Sequence, residues 1–474
     1  MADKQLVFID IDGLDPGVLY DLIDDGSTNI SKLAQKCLRV EKASTVFPAV
    51  TLSCQASMFT GVFPAGHGIV GNSWFDRHSD QPVYRRYTTA KTAAGTYGFG
   101  LFGFPTIILP ERPELQYANN DLSTNIRTVY EMAHDKDIES WQVFNHYSRG
   151  VDRWIKPTRP EMILFALCHE ELIHNRKWDK ATFNHLFRIM KTEGRIPPFL
   201  VFYISGLDNH SHQYGPETQK PYFKEVLDPL FGDLIRNLES FRPLDEINFI
   251  ITSDHRQATT IREKEYVIRM EYLSEIMDSV PGGYSLFDKK EVRDGDTAVI
   301  CTESGTAQIH LMNRRTRKWQ DKPGFEEDVI PVAETFEKHK SGDLPFVDII
   351  LVRPEFKADY QVYDGGKLVS TDEYFDGKDN EYPDAVRRIK GINCDRSGDL
   401  IVLLDYSKGY YYGDKLKAGE HGNLHEVDSL IPLVVSGPGV KETTLPRAGI
   451  VDAVPTAAKI LGFDAGDVDG VSLI

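Results

Sequence analysis

A chain of 474 residues exceeds one ordinary core, and 41% hydrophobic with 26% charged residues argues against disorder on a large scale. Its formal net charge of −17 works against nucleic-acid backbones and anionic membranes, whereas small phosphorylated substrates stay open because divalent cations can reverse the sign of an acidic pocket. Five scattered cysteines (Cys37, Cys54, Cys168, Cys301, Cys394) show no CxxC spacing, which fits a reducing compartment rather than a disulfide framework or a thiolate zinc site.

Met1-Ala2-Asp3-Lys4 runs straight into an apolar strand without a basic start, a long apolar stretch or a cleavage site. No run approaches the roughly 18 to 20 apolar residues of a spanning helix. A cytoplasmic protein without a membrane partner is the expectation.

Leu6 to Gly13 reads as a buried strand ending in a turn, followed by a helix from about Pro16 to Leu22. Similar apolar runs at Ser140 to Asn145, Phe199 to Ile204, Ile247 to Ser253, Asp399 to Leu404 and Ile431 to Ser436 alternate mostly with helical patterns such as Tyr222 to Phe241. That alternation predicts an α/β fold, a mainly parallel sheet sandwiched by helices. In such sheets functional groups collect just beyond the carboxyl ends of strands. From about Arg262 to Ile392 charge rises, Gly and Pro punctuate short segments, and strands at Thr297 to Cys301, Ala307 to Met312 and Val347 to Val352 lack clear partners. The expected division is a core of residues 1–261 and 393–474 with an inserted cap-like subdomain of residues 262–392.

Three carboxylates stand at or just after strand ends: Asp12, Asp208 and Asp254. Asp10 lies two residues earlier than Asp12 in the strand interior and reads as structural. Asp254-His255 offers an oxygen and a nitrogen to a borderline metal such as zinc, although an Asp-His pair alone is more often a surface turn after a strand. Asp208 and His212 are four apart and share a face if the segment is helical, with His210 as the local competitor. Thr51 offers a hydroxyl nucleophile, and a hydroxyl held against a cation needs no neighbouring histidine as base. Ser53 and Cys54 compete with it by composition, and a helix N-cap is the bland reading. A nucleophile at a helix N-terminus would also present backbone N–H groups to a phosphate.

Together these residues resemble the alkaline phosphatase superfamily, in its type I phosphodiesterase/nucleotide pyrophosphatase and phosphonoacetate hydrolase branch. The resemblance rests on Ile11-Asp12-Gly13, on Thr51 with Gly61 ten residues on, and on Pro64-Ala65-Gly66-His67-Gly68-Ile69-Val70-Gly71-Asn72. It continues through Asp208 to Pro216, Ser253-Asp254-His255, His421-Gly422 and Val451 to Thr456. It implies an alkaline-phosphatase-like fold and two divalent metal ions, one held by Asp208, His212 and His421, the other by Asp12, Thr51, Asp254 and His255. Mixed Asp/His ligation favours zinc over magnesium and leaves manganese and iron open. The resemblance further implies attack by Thr51, a phospho-threonine intermediate, and donation by Asn72 to a nonbridging phosphoryl oxygen. His67 reads as structural, and His425 falls outside the matched position.

The implied function is hydrolysis of phosphodiester or nucleotide pyrophosphate bonds, with Tyr203 at a position where family members stack a ring on a nucleobase and Trp74 and Phe75 beside the pocket. The alternatives are a phosphonoacetate hydrolase-like C–P hydrolase and a phosphomonoesterase. The former needs cations for a carboxylate, with Lys91, Arg149, Arg153 and Lys156 as suppliers. A sulfatase motif is absent, since Cys54-Gln55-Ala56-Ser57-Met58 lacks its Pro and Arg, and the basic clamp of cofactor-independent phosphoglycerate mutases is not visible. A non-catalytic relative should have lost a ligand or the nucleophile, and all seven positions are filled.

Overall fold

A computed structural model describes residues 4–79, 82–87, 97, 99–102, 107–111, 116–162, 172–286 and 295–474. A nine-stranded sheet forms its centre. Asn248–Thr252, Leu6–Ile11, Phe199–Ile204, Ser140–Val143 and Arg153–Ile155 lie side by side, all parallel. Beyond Asn248–Thr252, Leu433–Ser436 joins antiparallel, then Leu38–Ser44, which takes Leu430–Ile431 antiparallel and Thr443–Gly449 parallel.

The central strands carry unbroken apolar runs because both faces are covered: every residue of Leu6–Ile11, Phe199–Ile204 and Asn248–Thr252 is buried. Strand periodicity then sorts one segment between two cores. Leu6 and Phe8 join a cluster with the helices Thr51–Thr60 and Ala453–Leu461, while Val7, Ile9 and Ile11 face Pro16–Asp25, Leu172–Glu193 and Asp228–Glu239. This is the expected α/β sandwich. No helix among the described residues is long and apolar enough to cross a membrane.

A second, six-stranded sheet is antiparallel throughout, in the order Ala298–Glu303, Thr306–Leu311, Leu400–Leu404, Val347–Val352, Gln361–Asp364, Lys367–Ser370. Of the three strands without evident partners, Ala298–Glu303 pairs with Thr306–Leu311, and Thr306–Leu311 and Val347–Val352 flank Leu400–Leu404, which lies in this sheet and not in the main one. Its neighbours in the sheet come from far away in sequence, and its apolar run has no feature that distinguishes the two sheets. The sheet is also not a separate body: Ile349, Leu351, Ile401 and Leu403 pack in the same cluster as Leu6 and Val435.

Candidate metal centre and active site

Three parallel strands deliver the site. Leu6–Ile11 ends at Asp12, Asn248–Thr252 at Asp254 and His255, and Phe199–Ile204 leads into the helix Gly206–Tyr214, which carries Asp208 and His212 on one face. His212 Nε2 stands 3.3 Å from Asp208 Oδ2. Gly13 allows the strands to close up: it adopts φ +70°, and a Cβ there would sit 2.9 Å from Asp208 Oδ1. Asp12, Asp208, Asp254, His255 and His421 are buried, whereas Thr51 keeps partial exposure.

Thr51 is the first helical residue of Thr51–Thr60, with Val50 at the cap position. Its hydroxyl is therefore not consumed as the N-cap. It lies 3.1 Å from His255 Nε2. The Leu52 N–H instead donates to Asn72 Oδ1 over 3.1 Å, which fixes the amide and leaves its NH2 as the end available to a ligand. Ser53 donates to the Pro48 and Val50 carbonyls, and Cys54 is fully buried, so neither competes as nucleophile.

Backbone carbonyls set the tautomers of all three histidines. Nδ1 of His421 is 2.8 Å from Ala49 O, Nδ1 of His212 2.7 Å from Gly419 O and Nδ1 of His255 3.3 Å from Arg256 O. A carbonyl only accepts, so each Nδ1 carries the proton and each Nε2 offers its lone pair inward. His255 stacks on His421 with ring centroids 3.6 Å apart, and His255 Nε2 is 3.4 Å from both Asp12 Oδ1 and Asp254 Oδ2. Those two carboxylate oxygens are buried without a hydrogen-bond partner, a costly state that a cation relieves.

Two groups can each bring ligand atoms within 4.8 Å of one another: Asp208, His212 and His421, and Asp12, Asp208 and His255. Asp208 thus belongs to both, where the resemblance implied it for one metal only. The donor set fits two divalent ions.

The electrostatics agree. Burial, then the charges of Asp208 and Asp254, raises Asp12 well above the carboxylate range, and burial followed by Asp208 pushes Asp254 up to about 7. Burial also works against ionisation of Asp208, but the charge and hydrogen bond of His212 together with the charges of His421 and His255 outweigh it and lower the group. Burial, then His421, holds His255 well below its ordinary value, and burial lowers His421. Burial alone would lower His212 as well, but Asp208 and Glu420 leave it raised.

Several expected residues do other work. Tyr203 is only 4% exposed and its hydroxyl donates to Asp12, so its ring is not open to stack on a base; the strand buries it behind the ligand. Trp74 and Phe75 are likewise buried, Trp74 donating to Tyr87 Oη at 3.2 Å and Phe75 packed on His310 and Trp319. Asp10 accepts from Gln55, His67 is bonded to Ser57 and Ile69, His210 contacts Thr218, and His425 caps a short helix; none enters the ligand groups. Arg149 is tied to Glu131 and three carbonyls, Arg153 to Glu193, and Lys156 lies over Trp154. Lys91 lies outside the described residues.

Beside the site opens a cleft of about 300 Å³ between Asn72, His212 and His421 on one side and Thr302–Ser304 and residues 412–417 on the other. Its cations are Arg86, Lys415 and Lys417. Sequence reasoning also missed Gln257, whose Nε2 donates to Asp208 Oδ1 and, at 3.0 Å, to Asp208 O. Glu420, 3.4 Å from His212 Nδ1, is another. Both stand close to ligands in sequence, which is the signal that could have found them.

Similarity to known proteins follows the same lines. Murine ectonucleotide pyrophosphatase/phosphodiesterase 5, solved as an inactive variant in complex with AMP, shares the fold at a TM-score of 0.62 and 14% identity, with 98% of this chain and 97% of that one covered. The mouse bis(5'-adenosyl)-triphosphatase enpp4 is 23% identical over 54% of this chain and 47% of its own length. Alkaline phosphatase PhoV of Synechococcus elongatus is 22% identical over 87% of this chain and 81% of its own. The chain spans about half the length of the mouse, frog and fission-yeast relatives it matches. Fold and relatives put the protein in the alkaline phosphatase superfamily. Residues 6–428 match the Type I phosphodiesterase / nucleotide pyrophosphatase family, and the chain belongs to it.

Proposed function

We propose that the protein is a zinc-dependent, two-metal hydrolase of phosphodiester or nucleotide pyrophosphate bonds acting through a phospho-threonine at Thr51. The observation that carries this reading is one arrangement: three inward Nε2 lone pairs and two partnerless carboxylate oxygens around a threonine hydroxyl at a helix N-terminus. Asp208, His212 and His421 would hold one ion, and Asp12, Thr51, Asp254 and His255 the other, with Asp208 near both. When bound, such a pair lowers the pKa of hydroxyls and water and stabilises the attacking and leaving oxygens of an in-line displacement.

The chain's own groups supply the rest. Thr51 Oγ1 gives up its proton to solvent and forms the new bond to phosphorus as the bond to the leaving oxygen breaks on the opposite side. Water later cleaves the Oγ1–P bond, restoring the hydroxyl and releasing the phosphoryl group with the ester it retained. The Asn72 NH2 donates to a nonbridging oxygen, and the start of the Thr51–Thr60 helix favours its negative charge. A small nucleotide is the substrate class suggested by the AMP seen in the murine structural relative. The likeness to PhoV over most of both chains favours phosphomonoesters as the second reading.

Zinc-loaded protein assayed in parallel on bis-p-nitrophenyl phosphate, p-nitrophenyl phosphate, ATP and phosphonoacetate separates these readings. The expected order of kcat/KM puts the diester and ATP first. A preference for the monoester would establish the second reading, and no turnover of any substrate with two metals bound would overturn both.

A further inference from the structure

Glu303 ends the strand Ala298–Glu303 of the second sheet and pairs with Thr306 across the two-residue turn Ser304–Gly305. Ser304 takes φ +39° there, the left-handed region such a turn requires. The turn rests on the ligand loop of the main sheet: the Gly305 N–H donates to His421 O over 3.3 Å, and Thr306 Oγ1 donates to Gly422 O over 2.5 Å. This places the Glu303 side chain, 4% exposed, at the wall of the cleft. Its Oε1 accepts from Ser73 N at 2.5 Å and from Ser73 Oγ at 2.9 Å. Gly71 leaves room for it, since a Cβ there would stand 2.6 Å from that oxygen.

Asn72 lies between these two contacts. Its carbonyl accepts from the Tyr87 N–H at 2.8 Å and its Oδ1 from the Leu52 N–H at 3.1 Å. The third restraint comes from the other sheet. We propose that Glu303 is a positioning residue for Asn72: by gripping the Ser73 backbone it fixes where the Asn72 amide meets the phosphoryl group. A buried side-chain oxygen bonded to a backbone N–H and a hydroxyl is a rigid anchor, and a donor misplaced by an ångström loses most of its effect on a transition state. The inference rests on the reading of Asn72 as a phosphoryl-oxygen donor.

A double-mutant cycle with Asn72→Ala tests it, read as kcat and KM on bis-p-nitrophenyl phosphate and as the Kd of orthovanadate. Glu303→Ala should lower kcat at least about tenfold in the wild-type background, because losing one oxyanion donor costs about a hundredfold or more. In the Asn72→Ala background it should cost less than about twofold, since residues acting through one group are not additive. Vanadate affinity should follow the same pattern with KM little changed. Glu303→Gln, whose amide oxygen can accept both bonds, should retain kcat within about threefold.

Equal losses from Glu303→Ala in both backgrounds would overturn the proposal, as would no loss in the wild type. A Glu303→Gln as impaired as the alanine would assign a proton-transfer role instead. Should the alanine variant not fold, Glu303→Asp, a buried acid withdrawn by one methylene, enters the same cycle with the same criteria. If Asn72→Ala alone leaves kcat and vanadate binding intact, the reading of Asn72 fails, which is a separate result.

Discussion

The two sheets meet the active site in different ways. In the main sheet Asn248–Thr252, Leu6–Ile11 and Phe199–Ile204 run parallel, so their carboxyl ends arrive together and deliver Asp254, Asp12 and Asp208 to one edge. In the second sheet neighbours alternate in direction, and among the described residues it reaches the cleft only through Thr302–Ser304, at the end of the strand Ala298–Glu303, and the 412–417 segment that follows Leu400–Leu404. Parallel topology concentrates ligands, whereas antiparallel topology supplies isolated contacts. The main sheet should therefore own the bond-breaking chemistry and the second sheet its geometry and substrate fit.

The largest effect that tests this division is Thr51→Ala, expected to lower kcat at least about a thousandfold, as losses of covalent nucleophiles do. Circular dichroism and at least one bound metal should be unchanged. Mass spectrometry of quenched turnover should find the phosphoryl group, with the ester it retains, on the Thr51 peptide of the wild type alone; retained activity in the variant would discard the covalent route.

Arg77 offers the opposite test. It is fully buried, with Nη2 2.6 Å from Asp399 Oδ2 and 3.1 Å from His310 Nδ1, and so ties the segment after Asn72 to the second sheet. Arg77→Ala strands Asp399 in the interior, which should cost about 3–5 kcal/mol in denaturant unfolding. The kcat of the folded fraction should stay within about threefold if this contact serves stability alone. A larger loss of kcat without loss of stability would mean that the second sheet contributes to the chemistry.

How much of this was readable in the chain follows from the same contrast. The unbroken apolar run of Leu6–Ile11 and the carboxylates after strand ends are local features, so the parallel core and its candidate ligands were legible. The partner of Thr306–Leu311 was not, because strand Leu400–Leu404 lies some 90 residues away and its apolar run fits either sheet. Tyr203 failed as a stacking residue for a related reason: a tyrosine at a strand end can turn its hydroxyl toward the ligand or its ring toward the cleft, and only packing decides. Glu303 carries no spacing signal that sets it apart from surface residues, whereas Gln257 is marked only by standing two residues after His255. Within residues 262–392, Ile349 and Leu351 belong to a core cluster shared with the main sheet, a long-range contact that no local pattern announces.

A smaller effect than that of Arg77 is expected at His421, which projects from the loop between the two sheets. His421→Ala should weaken one metal selectively by more than about a hundredfold, given that even outer partners of a ligand are worth 10–100-fold. Zinc stoichiometry after dialysis against a weak chelator should fall by one ion. Unchanged stoichiometry would mean that the third ligand lies elsewhere, and loss of both ions would show that Asp208 couples the two positions too tightly to separate.

A pH-dependent effect concerns the support beneath the ligand helix. Asp179 is fully buried, accepts from the Gly206 N–H at 2.8 Å and from Tyr222 Oη at 2.7 Å, and so holds the start of Gly206–Tyr214. Burial pushes its carboxyl up to about 7, against the lowering pull of those two bonds. The folded value thus exceeds the unfolded one, near 3.9, so its contribution to stability is fully present below about pH 4 and lost as pH rises through about 7. Asp179→Asn removes the titration. The stability of the variant relative to wild type should therefore grow between pH 4 and 7, by about 4 kcal/mol at most. Hydrogen exchange should localise the pH-dependent part to the Gly206–Tyr214 amides and spare those of Leu400–Leu404. A difference that is flat with pH, or spread equally over both sheets, would remove Asp179 as the support that distinguishes the ligand-bearing region from the second sheet.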